Sequence, residues 1–131
     1  MKRKFFIISS LRNFYQPVVV KGLREAGCLV YDQRNHFETE KAILHWEICN
    51  EAYIRNTSLE SDISALNQAH VVLAMYPFNT KIFKDIAKAD SEGQIVILMI
   101  PRAFLAPIEL TKYMRVNDIK ELVKWVKNSN W

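Results

Sequence analysis

Residues 71–100 read VVLAMYPFNTKIFKDIAKADSEGQIVILMI. The stretch opens with the apolar run Val71–Met75 and closes with a second one, Gln94–Ile100, as strands buried on both faces do. Between them, Asn79 or Thr80 can cap a helix. The inward face of that helix is expected to carry four side chains: Ile82, Phe83, Ile86 and Ala87. The stretch therefore predicts a strand, a helix and a second, parallel strand.

The N-terminal third has the same pattern. Phe5–Ser9 is a short apolar run that predicts a first strand, and Cys28–Tyr31 predicts a second. Pro17 suits the first turn of a helix, and Gly27 can end that helix by adopting the left-handed backbone conformation. The residues between them that recur at helical spacing are Val19, Leu23 and Ala26. A strand, a helix and a strand in about thirty residues match the size of a βαβ unit.

The remaining elements complete an alternating order. Thr57–Glu60 forms a capping box before a helical stripe, Tyr113–Val116 is a short fifth strand, and Asn117 or Asp118 caps a last helix. This order predicts one domain, residues 1–131, of the α/β class. Its architecture is a flavodoxin-like or Rossmann-like three-layer sandwich with a five-stranded parallel sheet in the order 2-1-3-4-5.

Composition narrows the class of protein. The 131 residues are 50% hydrophobic and 24% charged, which is typical of a folded domain, and the net charge of +4 mildly favours anionic ligands. Lys and Arg are scattered among acids, so no specific nucleic-acid binding is expected. No stretch approaches a membrane span, and only two cysteines, Cys28 and Cys49, are present, which indicates a reducing, cytoplasmic location. His36, His45 and His70 are isolated, so no metal site is expected.

Ligands of such sheets bind beyond the carboxyl ends of the strands, at the switch point between strands 1 and 3. That rule selects three loops, residues 9–13, 31–35 and 76–80. None has the glycine of a flavin loop, the fingerprint of a dinucleotide site or the lysine motif of a P-loop. Strand 3 also ends without the Asp of a phospho-acceptor domain. The sequence therefore indicates no cofactor.

Several segments carry a resemblance to a known family. They are Ile8–Asn13, Leu23–Gly27, Val30–Asn35, His45–Ile48 and Ser61–Ile63. The chain resembles nucleoside 2-deoxyribosyltransferase-like proteins over most of its length, with the opening segment the most specific. The resemblance implies cleavage of the N-glycosidic bond between a base and deoxyribose, and a nucleoside or nucleotide as the ligand. It further implies a carboxylate nucleophile that forms a covalent glycosyl-enzyme.

The nucleophile motif departs from the family pattern. Asp85 occupies the place of the usual Glu, in the helix after strand 3. Asn79 replaces the first glycine of the motif, which is an acid in some members, and Ala87 replaces the second glycine. Lys81 stands where a small serine is common. Because Asp is one methylene shorter, its oxygens retreat by on the order of 1 Å, a misplacement that can cost about a hundredfold in rate.

The candidate site residues follow from the loops and the resemblance. Asp85 and Asp62 are the catalytic candidates. The substrate-binding candidates are Ser9, Ser10, Arg12, Asn13, Asp32, Arg34, Asn35, Trp46 and Asn79. Arg12 suits a 5′-phosphate because a guanidinium bonds phosphate oxygens in pairs. Each candidate also has an ordinary structural interpretation. Asp85, on the flank of the stripe set by Ile82, Ile86 and Ala89, would simply pair with Lys81 four residues earlier.

Two alternatives to an enzyme stay open at this stage. The degraded helix motif fits a catalytically inactive nucleotide-binding protein on the same scaffold. Trp125 and Trp131, in or after the last helix, fit packing or an association surface. The resemblance also implies a homo-oligomer.

Overall fold

A five-stranded parallel sheet forms the centre of the molecule, in the order β2-β1-β3-β4-β5. The computed structural model describes residues 3–10, 13–31 and 64–129. The strands are β1 (Lys4–Ile8), β2 (Leu29–Tyr31), β3 (Val71–Met75), β4 (Ile95–Met99) and β5 (Met114–Val116). The predicted fold class and strand order are confirmed. Each strand lies within one residue of the predicted bounds at either end.

Helices cover both faces of this sheet. They are α1 (Gln16–Glu25), α2 (Thr80–Ser91) and α3 (Ile119–Asn128), with helical residues 64–68 and a 3₁₀ turn at Ile108–Leu110. The core on one face combines side chains from α1 and α3 with the sheet, and the core on the other face uses α2 and residues 64–68. This is the three-layer arrangement that the alternating sequence predicts.

Alternation along β1 shows why its apolar run is continuous. Phe5 and Ile7 enter the core under α1 and α3, whereas Phe6 and Ile8 enter the core under α2. All four are 1–2% exposed. Each such side chain stabilises the fold by about 1.5–3 kcal/mol relative to an exposed position. A polar residue on either face of β1 would therefore lower the free energy of unfolding.

The helix ends follow the local sequence. The Asn79 side chain accepts a hydrogen bond from the backbone N–H of Ile82, 2.9 Å away, and caps α2. Asp118 caps α3 by accepting from the N–H of Glu121, also at 2.9 Å. Gly27 follows α1 with φ +91°, a conformation that side chains with a Cβ rarely adopt. The sequence predictions of these ends are confirmed.

The inward face of α2 differs from the expectation in one respect. Ile82, Ile86 and Ala89 are buried, whereas Ala87 is exposed and Phe83 is only half-buried. Ala87 lies about 100° of helix rotation beyond Ile86, which carries it past the edge of the buried stripe. The prediction that Ala87 faces inward was therefore wrong.

The packing of α1 against α3 is close at one glycine. A Cβ built on Gly22 would lie 2.6 Å from Cγ1 and 2.9 Å from Cδ1 of Ile119. Next to it, the Tyr15 hydroxyl oxygen accepts a hydrogen bond from the Ile119 N–H at 3.0 Å. Trp125 of α3 packs partly buried against the same core, as one of its two sequence interpretations expects. Burial raises the pKa of the Cys28 thiol there.

One further feature bears on the class of protein. Within residues 3–10, 13–31 and 64–129, no helix combines the length and apolar character needed to cross a bilayer. Two predictions about elements and packing lie outside the described residues, namely the capping box Thr57–Glu60 and the role of Trp131.

Candidate active site

The carboxyl ends of β1 and β3 meet at one edge of the sheet because the two strands are parallel neighbours. Ser9 and Ser10 follow β1, and both are partly exposed. Residues 76–79 follow β3 and lead into α2. The predicted switch point between strands 1 and 3 is therefore present, and the structure describes residues 9, 10 and 13 of its first loop and all of the loop 76–80.

Asn13 links these two loops. Its side-chain oxygen accepts hydrogen bonds from the N–H groups of Tyr15 at 2.9 Å and Gln16 at 3.2 Å, which open α1. Its amide nitrogen donates to the backbone carbonyl of Tyr76, 3.1 Å away. The Asn13 N–H in turn donates to the carbonyl of Ser10 at 3.0 Å. Asn13 therefore positions the site, a role that sequence reasoning did not assign; its predicted contact with substrate stays a prediction.

Asn79, another predicted substrate-binding residue, has the capping role described above. Its side-chain oxygen faces the first turn of α2, so that oxygen is engaged by the Ile82 N–H. This capping bond is a structural reason for an Asn at this position. The predicted contact between Asn79 and a ligand stays a prediction, and it would involve atoms of Asn79 other than this oxygen.

Asp85 lies on the flank of α2 that faces β1. The helix packs over β3 and β4, and Phe83 lines a groove of about 310 Å³ with Leu110 and Tyr113, on the β5 side. Asp85 follows Phe83 by two residues, about 200° around the helix, so it lies across the buried stripe on the opposite flank. Its side chain is 24% exposed. This orientation turns the carboxylate toward the side of the sheet that holds the switch point.

Lys81 is the partner of this carboxylate. Its Nζ atom lies 3.2 Å from Oδ2 of Asp85, one helical turn away, and its side chain is 66% exposed. The ordinary i,i+4 pair that the sequence suggests is confirmed. Since Nζ engages Oδ2, the other carboxylate oxygen, Oδ1, is the one free of this pair.

An aromatic cluster borders the same edge, and sequence reasoning missed it. The rings of Tyr76 and Phe104 stack with centroids 4.7 Å apart, and Phe78 meets Tyr76 edge-on at 6.0 Å. The run Tyr76-Pro77-Phe78 directly after strand 3 was an available signal. Phe104 lies beyond β4, and the guanidinium of Arg115 fixes its loop by donating to the carbonyls of Pro101 at 2.8 Å and Phe104 at 2.6 Å.

A second charged group lies away from the predicted site. Asp90, on the Phe83 flank of α2, accepts hydrogen bonds from the Tyr113 hydroxyl at 3.0 Å and from Lys112 Nζ at 3.2 Å. These bonds, that of Tyr113 first, lower the pKa of the Asp90 carboxyl. Groups of three or more potential metal-ligating side chains are absent from the described part of the chain.

The structure thus tests the surroundings of only some candidates. Ser9, Ser10, Asn13, Asn79 and Asp85 are described. The hydrogen bonds above join Asn13 to the loop after β3, while Asp85 bonds within its own helix. The other candidates lie outside the described residues; they are Arg12, Asp32, Arg34, Asn35, Trp46 and Asp62.

Comparison with solved structures identifies proteins of the same architecture. The 2-deoxyribosyltransferase of the psychrotolerant bacterium Bacillus psychrosaccharolyticus aligns with a TM-score of 0.71 at 18% identity, over 98% of this chain and 93% of that one. This chain has the fold of a 2-deoxyribosyltransferase.

Two other solved structures share that fold. The CMP N-glycosidase of Clostridium botulinum aligns at a TM-score of 0.60 and 14% identity, over 95% of this chain and 99% of its own. A conserved protein of Enterococcus faecalis V583 aligns at 0.63 and 10% identity, over 97% and 98%. No protein-family model and no curated protein matches the sequence.

Proposed function

We propose that the chain belongs to the nucleoside 2-deoxyribosyltransferase-like family and cleaves or transfers the N-glycosidic bond of a nucleoside or nucleotide. The observation that carries this proposal is the position of Asp85, on the flank of α2 that faces β1 and the switch point. The opening segment Ile8–Asn13 supports it, as do the neighbouring structures, one a deoxyribosyltransferase and one a CMP N-glycosidase.

The proposed reaction is a double displacement. In the first step, Oδ1 of Asp85 bonds to C1′ of the sugar as the bond from C1′ to the base nitrogen breaks. The electron pair of that bond goes to the base, which takes up a proton. In the second step, water or another base attacks C1′, loses a proton and displaces the Asp85 carboxylate. The carboxylate also stabilises the positive charge that develops on the sugar ring.

The remaining candidates bind and orient the ligand in this proposal. Arg12, Ser9 and Ser10 hold the sugar or its phosphate, and Asp62 orients the base or sugar. Asn13 contacts the ligand and also fixes the two loops to each other. The other binding residues are Asp32, Arg34, Asn35, Trp46 and Asn79. We further infer that the protein is cytoplasmic and that it forms a homo-oligomer. Light scattering during gel filtration will test the oligomeric state.

A second candidate function is a nucleotide-binding protein without catalysis. The ion pair of Lys81 with Asp85 favours it, because that lysine competes with a sugar for the carboxylate. The shorter side chain of Asp, compared with the usual Glu, favours it too. Both functions predict nucleotide binding, and only the first predicts release of a base.

The test is a chromatographic assay for free or exchanged base. The purified chain is incubated with deoxynucleosides and with nucleoside monophosphates, CMP included, in the presence and absence of an acceptor base. We expect Asp85→Asn to lower the rate about a thousandfold or more, as loss of a nucleophile does. Asp90→Asn is the matched control because it changes a carboxylate on the other flank of the same helix.

The outcomes separate the two functions. Base release that depends on Asp85 and survives Asp90→Asn supports glycosidic-bond chemistry. Binding of nucleotides by the folded wild type without base release supports the binding protein. Release of base that persists in Asp85→Asn at the wild-type rate overturns the assignment of the nucleophile.

A further inference from the structure

A groove of about 530 Å³ follows the exposed side of α3. Two half-buried apolar side chains, Ile119 and Val123, contribute to its lining. Three exposed lysines line it as well; they are Lys120, Lys124 and Lys127. These lysines recur at steps of four and three residues, so they form one stripe along the helix. The groove therefore has an apolar floor and a cationic rim.

The positive charge of this lysine stripe is not balanced by the acid of the same helix. Glu121 accepts hydrogen bonds from the N–H of Asn117 at 2.9 Å and from its side-chain amide at 3.1 Å. The remaining neighbour of Glu121 is Arg102, 3.7 Å away. In the part of the chain that the structure describes, no carboxylate forms an ion pair with a lysine of the stripe. The stripe therefore presents three ammonium groups to anions from solvent.

Helix stability explains only part of this stripe. Lys127 lies in the last turn of α3, where the helix macrodipole favours a cation. Lys120 lies in the first turn, where the same dipole disfavours a cation. The position of Lys120 therefore needs another reason, and a bound anion that spans the stripe would supply one.

The groove also lies away from the candidate active site. Side chains of α1 and α3 form the core on one face of the sheet, whereas α2, which carries Asp85, packs on the other face. A molecule in the groove therefore does not occupy the flank of α2 on which the proposed chemistry depends. An inference about this groove is independent of the proposed function.

The lining favours a peptide over other polyanions. The apolar side chains lie below the lysines, so a flat bilayer would meet the ammonium groups and leave the floor uncovered. A phosphodiester backbone has no apolar group to place there. In an extended peptide, side chains on one side recur about every 6.6 Å, close to the axial step of about 6 Å between Lys120 and Lys124. The side chains between them point the other way and can be apolar.

We propose that the groove and its lysine stripe are a docking surface for an acidic segment of a partner protein, in which carboxylates alternate with apolar side chains. The carboxylates pair with the three lysines, and an apolar side chain packs against Ile119 and Val123. A second copy of this chain is a poorer occupant because each copy carries a net charge of +4, so two copies repel each other.

The test measures the fluorescence anisotropy of a short labelled peptide in which Glu alternates with Leu, titrated with the full chain. One companion peptide has Gln in place of Glu, and another has Ser in place of Leu. Lys124→Glu reverses the central charge of the stripe, and Val123→Thr makes the floor more polar at nearly constant volume. Lys88→Glu, at an exposed position of α2 on the other face of the sheet, is the matched control for net charge. Circular dichroism checks that each variant is folded.

We expect Lys124→Glu to weaken binding of the Glu–Leu peptide about tenfold, because it replaces an attraction with a repulsion. Lys88→Glu should change the Kd less than about twofold, since it alters only the net charge. Val123→Thr should weaken binding about threefold, and both companion peptides should bind at least about fivefold more weakly than the Glu–Leu peptide.

Three results with the peptides overturn the inference. They are equal weakening by Lys124→Glu and Lys88→Glu, equal affinity for the peptide with Ser in place of Leu, and a wild-type Kd above about 1 mM. Binding of phosphatidylserine vesicles or single-stranded DNA that is tighter than peptide binding and is lost in Lys124→Glu also overturns it, by assigning the groove to a membrane or a nucleic acid. Self-association in gel filtration that Lys124→Glu abolishes assigns it to a second copy instead.

Discussion

The amide nitrogen of Asn13 lies 3.1 Å from the carbonyl oxygen of Tyr76 and donates a hydrogen bond to it. One side chain thus joins the loop after β1 to the loop after β3, across the edge where ligands of this fold bind. The same side chain satisfies two N–H groups at the start of α1. The spacing of the two loops therefore depends on a residue that is 63 positions from its partner in the chain.

The first prediction separates the two functions of Asn13. Asn13→Ala removes the acceptor at the start of α1 and the donor to Tyr76, so the free energy of unfolding should fall by roughly 1–3 kcal/mol. Asn13→Ser keeps an acceptor oxygen for the start of α1 and removes the donor to Tyr76 without adding a charge, so its loss should be clearly smaller. Urea denaturation measures both. Equal losses for the two variants would assign the whole effect to the bond with Tyr76.

The second prediction concerns the contact of Gly22 with Ile119. Gly22→Ala gains about 1 kcal/mol of helix propensity, but its Cβ overlaps Cγ1 of Ile119, and overpacking costs about 1–3 kcal/mol. We expect a net loss of stability in thermal or urea unfolding. In an Ile119→Ala background the overlap is absent, and the same Gly22→Ala change should stabilise the protein. An unchanged sign in the two backgrounds would refute this steric account.

The third prediction concerns Arg115, whose guanidinium donates to three carbonyls of the segment after β4. Arg115→Met leaves those carbonyls to water, so the turn in which the Phe104 N–H bonds to Pro101 should open more often. Amide hydrogen exchange at Phe104 should accelerate about tenfold or more, the equivalent of a loss of about 1.4 kcal/mol in local stability.

Arg102→Met provides the control for that experiment. Arg102 is 84% exposed and lies 3.7 Å from Glu121, so its ion pair should contribute little to stability. Exchange at Phe104 should change less than about twofold in this variant. Similar acceleration in both variants would point to general loss of charge instead of the carbonyl bonds of Arg115.

The fourth prediction concerns the pH dependence of Asp90. Its pKa is lowered in the folded protein, so the carboxylate contributes stability above its unfolded pKa, about 3.9. That contribution is lost as the pH falls through the lowered folded value. Because the hydrogen bond from Tyr113 is the first cause, Tyr113→Phe should raise the pKa of Asp90 toward its ordinary value.

Carbon-13 NMR of the carboxyl group measures that pKa directly. Lys112→Met is the companion variant, and its effect should be in the same direction and smaller, since the bond from Lys112 is the second cause. An Asp90 titration midpoint unmoved by Tyr113→Phe would contradict the assignment.

The fold was predictable from the sequence because its decisive signals are local. Continuous apolar runs indicate parallel strands, and Asn79 and Asp118 cap helices through bonds that span three residues. The inward role of Ala87 was wrong because the stripe on α2 is narrower than the spacing alone implies. A small apolar residue at the edge of such a stripe has little preference between core and solvent.

The site was predictable to a smaller extent. Asp85 and its pair with Lys81 follow from spacing along one helix. The bridge from Asn13 to Tyr76 and the stacking of Tyr76 on Phe104 join distant segments, and no periodic pattern encodes them. Such contacts depend on how the loops leave neighbouring strands, which only the assembled sheet determines.

The opposite orientations of Phe83 and Asp85 on α2 have a practical consequence. Ala87 is exposed and lies on the Phe83 side of the helix, about 200° from Asp85. A cysteine introduced there would carry a fluorophore or a surface tether without standing between Asp85 and solvent. Position 87 is therefore a suitable attachment point for immobilisation or single-molecule work, on the flank that the proposed chemistry does not use.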